Sequence, residues 1–364
     1  MAVTLIVQID GCDPAYLAAA ETPTLDRIAR EGFYQTGLGV VPSVTNVNTV
    51  SLVTGAFPEV HGVCSNYYID PHTKEGRYVE SAEDVRCPTL FERLPERQSL
   101  VMVVKEKLLR LVGRGAHMSL TAEQPPAELV AALGEPADIY SAEINYWLLD
   151  ACRLLLERNQ ADLIYLATSD WVFHTFAPED AEAKEYLENL DSRLERLLET
   201  RPDLELYVTA DHGMNAKRRA LNPALSLRQQ GLESTLVPII KDRYVVHHQN
   251  LGGAAYLYLA DAGEVTAGRD VLLEIEGVEE VITREEAAAR FHLPADRIGD
   301  LMILGDIHTV FGELPSAAQE VALRSHGGLH EQQVPIYGYN ASVDPAAVEY
   351  HLDITKQLAN QGEE

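Results

Sequence analysis

Val3-Thr4-Leu5-Ile6-Val7-Gln8-Ile9 is an apolar run that stops on Asp10. The pattern returns twice: Asp162 to Ala167 is followed shortly by Asp170, and Leu204 to Thr209 by Asp211. Such runs read as buried strands. Between them Ile144, Trp147, Leu148, Ala151 and Leu155 recur at helical spacing, as do Leu187, Leu190, Leu194 and Leu197. Strands alternating with helices predict an α/β fold, a mainly parallel central sheet flanked by helices. Open sheets of this kind hold ligands beyond the carboxyl ends of their strands, so three aspartates are expected on one rim.

From about Asn222 to about Gly312 the texture changes, with Pro238, Gly252-Gly253, a strand-like Ala255 to Leu259 and a Glu-rich amphipathic stretch around Glu285 to Phe291. We read residues 222–312 as a smaller inserted α+β cap, and 1–221 with 313–364 as the catalytic core. The start of the chain has no basic region or small-residue cleavage site and reads as a first strand, not a signal peptide. No apolar run approaches the roughly 20 residues a spanning helix needs. Cys12, Cys64, Cys87 and Cys152 are scattered without CxxC spacing, which predicts reduced thiols and a cytoplasmic protein.

The residues at the strand ends carry the chemistry. Asp10, Asp170 with His174 four residues on, the adjacent Asp211-His212, and His326 make a set of carboxylates and imidazoles that suits zinc or a similar divalent ion. Six such groups are enough for two ions. Singly, each has a plainer reading: an aspartate after a strand can cap a helix, and a lone histidine can simply be buried. Asp13-Pro14 reads as a turn or helix start, not a further ligand. In Val41-Pro42-Ser43-Val44-Thr45-Asn46-Val47-Asn48 a short polar segment runs into an apolar helix that stops at Gly55 and Pro58. Thr45 is either a cap or a nucleophile at a helix N-terminus, where the dipole and orphan N–H groups favour an anion.

The order Asp, Pro-Ser-x-Thr-x-x-Asn, Thr-Gly-x-x-Pro-x-x-His-Gly, Asp-x-x-x-His, Asp-His-Gly-Met and His-Gly resembles the phosphodiesterase branch of the alkaline phosphatase superfamily, which includes the nucleotide pyrophosphatases/phosphodiesterases. Within that branch it is most similar to the phosphonoacetate hydrolases, from about Ile9 to Pro335. The specific marks are Ser65-Asn66-Tyr67-Tyr68-Ile69-Asp70, Lys105-Glu106-Lys107-Leu108, Asp211 to Lys217, Tyr244-Val245-Val246-His247-His248, Asp296-Arg297-Ile298-Gly299-Asp300 and Ser325-His326-Gly327-Gly328. The resemblance implies an alkaline phosphatase-like core and two Zn2+ ions, with Mn2+ or Fe as other occupants. One ion would be held by Asp170, His174 and His326, the other by Asp10, Asp211 and His212, with Thr45 bridging as nucleophile. It implies that Asn66 holds a phosphoryl oxygen and that Lys105 and Lys107 bind the substrate carboxylate. In plainer readings Asn66 is a turn residue, and the lysines are solvated at the start of a helix. Alternate residues on an extended segment after Leu100 to Val104 face one side, however, so both lysines could enter the site. Asn48 is expected to shape the turn before the helix, Lys217 is a weaker candidate for the same anion, and His247 and His248 could line the pocket. Val47, Thr49 and the compact stretch from Asp70 to Lys105 depart from the family pattern.

The expected reaction is cleavage of the C–P bond of phosphonoacetate to acetate and phosphate through a phosphothreonine. The alternatives are a nucleotide pyrophosphatase/phosphodiesterase acting on small phosphodiesters, a phosphomonoesterase, an isomerase of the phosphoglycerate mutase type and a non-catalytic relative. The resemblance leaves room for a homodimer. Against 56 acidic residues the 364-residue chain has 29 Lys and Arg, a formal net charge of −27. That excludes nucleic acid and anionic membranes as partners. It does not exclude a small anionic phosphonate, because two divalent ions and two lysines would outweigh Asp10, Asp170 and Asp211 locally.

Overall fold

The computed structural model describes residues 3–243 and 249–362, so His247 and His248 lie outside the described residues. Thr4–Gln8 pairs in parallel with Leu163–Ala167 on one side and with Glu205–Thr209 on the other. Ser99–Val103 and then Met118–Thr121 extend the parallel array beyond Leu163–Ala167. At the opposite end Gln333–Tyr339 pairs antiparallel with Glu205–Thr209 and with the edge strand Phe33–Leu38. The result is a seven-stranded, mainly parallel sheet. Every residue of Thr4–Gln8, Ser99–Val103, Leu163–Ala167 and Glu205–Thr209 is buried, which is why these strands read as unbroken apolar runs.

Polar residues inside the sheet are matched. Gln8 donates to Thr49 Oγ1 at 2.9 Å and accepts from the Tyr165 hydroxyl at 2.7 Å, tying the sheet to the helix Thr45–Thr54. Ala181–Thr200 packs on Glu143–Glu157 and on Pro23–Glu31, while Thr45–Thr54 packs on Leu352–Gly362 and Glu106–Val112. The helical stripes expected from the sequence are the buried ones: Leu187, Leu190, Leu194 and Leu197 face inward on Ala181–Thr200, as do Ile144, Trp147, Leu148, Ala151 and Leu155 on Glu143–Glu157.

A second sheet runs Ser234–Pro238, Ala254–Leu259, Leu301–Gly305, Val278–Thr283, all antiparallel. Val265–Leu273 and Arg284–Phe291 pack against it. A three-stranded sheet places Asn215–Leu221 between Thr309–Phe311 and Ala318–Ser325, so the chain leaves toward the second sheet and returns from it side by side.

Thr45–Thr54 starts after the extended Val44 and ends on Gly55, whose φ of 62° is the left-handed conformation glycine adopts without strain. Asn48 accepts from the Val40 N–H at 2.6 Å and donates to Val40 and Pro42 carbonyls, holding the loop that leads into the helix. His61, fully buried, accepts from the Val63 N–H through Nδ1 at 3.1 Å and so donates from Nε2 to Ser51 Oγ at 2.8 Å. Burial, reinforced by the nearby Arg297 charge, pushes its pKa down to about 3. The unfolded chain therefore binds a proton near pH 6.5 that the folded chain refuses until about pH 3. Between those values stability should fall with falling pH by about 1.4 kcal/mol per unit from this residue. Unfolding midpoints measured from pH 7 to pH 4 should lose that slope in His61→Gln; an unchanged slope would refute the assignment.

Candidate active site

Three neighbouring parallel strands deliver the aspartates to one rim. Asp10 follows Thr4–Gln8, Asp170 follows Leu163–Ala167 and Asp211 follows Glu205–Thr209. Asp170 precedes the single helical turn Trp171–Thr175, which brings His174 back over it: His174 Nε2 lies 2.9 Å from Asp170 Oδ2. His326 follows Ala318–Ser325. The ligand-capable atoms fall into two buried groups, Asp170 with His174 and His326, and Asp10 with Asp211 and His212, all within 4.8 Å of one another in each group.

The histidines are aimed by the backbone. Nδ1 of His174 meets the Arg324 carbonyl at 2.8 Å, Nδ1 of His212 the Gly213 carbonyl at 2.9 Å and Nδ1 of His326 the Ser43 carbonyl at 2.8 Å. A carbonyl only accepts, so each Nδ1 carries a proton and Nε2 is the ring nitrogen left to face the site. The His212 and His326 rings stack at 3.7 Å, which sets the two groups side by side. Glycine follows His212 because a Cβ at Gly213 would lie 2.5 Å from Asp13 Oδ2.

The electrostatics ask for cations. Burial, then the charges of Asp211 and Asp170, raise the Asp10 pKa well above the usual carboxylate value. Burial, then His212 and His174, push His326 well below the usual imidazole value. Asp211 accepts from the Gly11 N–H through Oδ1 at 3.0 Å, but its fully buried Oδ2 has no hydrogen-bond partner among the described residues. Crowded carboxylates, inward-facing imidazole nitrogens and a carboxylate oxygen without a hydrogen-bond partner among the described residues fit bound divalent ions. Zn2+ at 100 times its Kd should therefore stabilise the metal-free protein by about 2.7 kcal/mol for each site filled. Thermal unfolding with and without Zn2+ checks this, and no shift would refute the fit.

Thr45 is the first residue of its helix and Val44 is the cap, so the capping alternative for Thr45 does not hold. Its Oγ1 lies 3.1 Å from His212 Nε2 and 3.5 Å from Asp10 Oδ1. A cleft of about 360 Å3 is lined by Asp10, Thr45, Asn66, Lys105, Lys107, Asp170 and His326, with Val104, Leu108, Ile139 and Tyr140 among its apolar walls. The Asn66 Oδ1 is buried without a hydrogen-bond partner among the described residues. A wider groove of about 750 Å3, lined by Arg218, Glu276, His308 and Glu320 among others, gathers none of the expected site residues.

Both lysines reach the cleft, but not by alternation along an extended segment. The strand ends at Val103, Lys105 caps the helix Glu106–Val112 and Lys107 lies in its first turn. Lys107 is ion-paired with Asp242, whereas Lys105 lies over the Tyr140 ring at 5.5 Å from its centroid. Lys217 does not line the cleft: it is buried against Glu331 at 2.8 Å. Asp13 caps the helix Pro14–Ala19 and belongs to neither ligand group. Sequence reasoning did not find Asp242 or Tyr140, which carry no local motif and join the cleft only through tertiary contact, nor Glu331, the buried partner of Lys217.

The model of the family described as "Type I phosphodiesterase / nucleotide pyrophosphatase" matches residues 4–329. The chain is 32% identical to the phosphonoacetate hydrolase of Sinorhizobium meliloti 1021, solved in complex with phosphonoformate and with phosphonoacetate; the TM-score is 0.89, over 99% of this chain and 96% of that one. Murine ectonucleotide pyrophosphatase / phosphodiesterase 5 shares the fold at a TM-score of 0.72 and 18% identity, over 99% of this chain and 95% of that one. An uncharacterized pyrophosphatase/phosphodiesterase of Schizosaccharomyces pombe is 26% identical over 58% of this chain and 44% of its own length. An ectonucleotide pyrophosphatase/phosphodiesterase of Caenorhabditis elegans is 23% identical over 89% of this chain and 41% of its own length. The chain thus spans less than half the length of these curated relatives. Among the described residues no helix is long and apolar enough to cross a membrane.

Proposed function

We propose, from the premise that the chain belongs to the type I phosphodiesterase / nucleotide pyrophosphatase family and is a hydrolase of that superfamily, that it cleaves the C–P bond of phosphonoacetate. The observation that carries this reading is a single cleft lined by Thr45, Asn66, Lys105 and Lys107 together with Asp10, Asp170 and His326 from the two ligand groups. The similarity to an enzyme solved with phosphonoacetate supports the choice of substrate.

Asp170, His174 and His326 would hold one Zn2+, and Asp10, Asp211 and His212 the other. When bound, the ions would supply Lewis acidity that lowers hydroxyl pKa values and takes up phosphoryl charge. Thr45 sits where a helix leaves its first N–H groups without intrahelical partners, a setting that favours the transferred phosphoryl group. The Thr45 hydroxyl gives up its proton to solvent, and its oxygen forms a bond to phosphorus while the P–C bond breaks. The electron pair passes to the methylene carbon, is delocalised into the carboxylate, and the carbon then takes a proton from water to give acetate. Water next cleaves the phosphothreonine, returning the Thr45 hydroxyl and releasing phosphate. The Asn66 amide steadies a phosphoryl oxygen, and Lys105 and Lys107 face the carboxylate on which charge develops.

Residues 222–312 are read as a cap over a core of 1–221 and 313–364, supported by their own four-stranded sheet and by Asp242 reaching Lys107. The cytoplasmic location expected from the sequence belongs to the same proposal. The apolar walls Val104, Leu108, Ile139 and Tyr140 favour a second reading, a phosphodiester with a larger leaving group.

Phosphate release from phosphonoacetate and phosphonopyruvate, set beside turnover of a nitrophenyl phosphodiester by the zinc-loaded protein, separates the two; a clear preference for the diester would overturn the phosphonate reading. Lys105→Ala should lower kcat/KM for phosphonoacetate about thirtyfold, and Lys105→Ala with Lys107→Ala about a hundredfold, with diester turnover largely kept. Lys105 takes the larger share because the Lys107 ammonium is already shared with Asp242. Equal losses on both substrates would make the pair structural.

A further inference from the structure

Lys217 and Glu331 form an ion pair, Nζ to Oε1 2.8 Å, with side chains 1% and 0% exposed. Burying two charges has a desolvation cost that their attraction seldom exceeds by much, so such a pair is a poor stabiliser compared with apolar side chains of the same size. Its connections suggest another use. Glu331 Oε1 also accepts from Asn215 Nδ2 at 2.8 Å, and Oε2 accepts from the Gly328 N–H at 3.0 Å. The Glu331 carbonyl accepts from the Gly213 N–H at 2.7 Å. Lys217 Nζ adds a bond to the Ile307 carbonyl at 3.0 Å.

These partners lie on two segments. Gly213, Asn215 and Lys217 follow Asp211 and His212; Gly328 follows His326 by two residues. One carboxylate therefore ties the segment carrying Asp211 and His212 of one ligand group to the segment carrying His326 of the other. Between His326 and Gly328 the chain passes through Gly327 at φ 106°, a conformation open to glycine, whose backbone freedom the Gly328 bond to Glu331 restricts. We propose that Glu331, braced by Lys217, is a positioning residue that fixes the separation of the two metal-binding groups by holding the His212 and His326 segments in register. The inference rests on the metal-site reading above and is independent of which substrate is cleaved. A carboxylate is needed because both oxygens must accept: a glutamine would set an NH2 group against either the Gly328 N–H or the Asn215 and Lys217 donors.

The test is Zn2+ affinity, measured by competition with a chromophoric chelator on the metal-free protein, alongside its thermal unfolding. Glu331→Gln should weaken Zn2+ binding about 10- to 100-fold. Because that variant leaves the Lys217 charge buried alone and risks misfolding, the deciding variant is the charge-balanced Lys217→Met with Glu331→Gln. It should unfold near the parent midpoint without metal and still bind Zn2+ at least about tenfold more weakly. Parent-like Zn2+ affinity in a folded form of either variant would overturn the proposal and leave the pair a packing feature. If the parent protein itself bound no Zn2+, the metal-site reading would have failed instead.

Discussion

Thr45→Ala is expected to lower phosphonoacetate turnover by about 10^4-fold or more while Zn2+ content stays at the parent level. The expectation comes from position: the substitution removes Oγ1 from a residue that lines the cleft, where it lies 3.1 Å from His212 Nε2. The rest of the helix start survives, since Val44 is the cap and the Asn48 side chain holds the preceding loop. Alanine also suits a helical position, so the fold should be undisturbed. Thr45→Ser keeps the hydroxyl but loses the methyl that restricts χ1, and should retain measurable turnover. Acid-quenched parent enzyme should carry phosphate on Thr45, and the alanine variant none. Turnover in Thr45→Ala within about tenfold of the parent would mean that another group attacks phosphorus.

The parts of this site that were legible in the sequence are those set by one strand or one turn. Buried parallel strands leave apolar runs that point to their own ends, so Asp10, Asp170 and Asp211 could be placed on one rim before any coordinates. His174 was legible through its four-residue spacing from Asp170, which one helical turn converts into contact. Charge pairing was not legible. Lys107 meets Asp242 across 135 residues and Lys217 meets Glu331 across 114, and no local pattern records either partner. Lys217, a weaker candidate for the substrate anion from its sequence, has its charge spent inside the fold. The lysine geometry was misread for a related reason: a strand ending at Val103 rather than Val104 lets a helix begin at Glu106, so helical and not alternating spacing presents the two side chains.

Asn66 is where charge and shape can be told apart. Its backbone is held on both sides, the N–H by the Ile239 carbonyl at 3.2 Å and the carbonyl by the Val79 N–H at 2.9 Å, so side-chain changes should leave the loop in place. Its side chain lines the cleft with Thr45, and its buried Oδ1 lacks a hydrogen-bond partner among the described residues. That oxygen only accepts, so any hold on a phosphoryl oxygen falls to the amide N–H groups of the same cleft-lining side chain. If the amide N–H steadies a phosphoryl oxygen as charge moves, Asn66→Ala should lower kcat about 10^2- to 10^3-fold with Zn2+ affinity unchanged. Asn66→Asp has nearly the same shape but turns a donor into a negative charge facing the phosphoryl group. It should therefore be slower than the alanine variant, although it fills the space better. A role in packing alone would give the opposite order, so the ranking of the two variants in kcat decides between them without any assumption about the size of either effect.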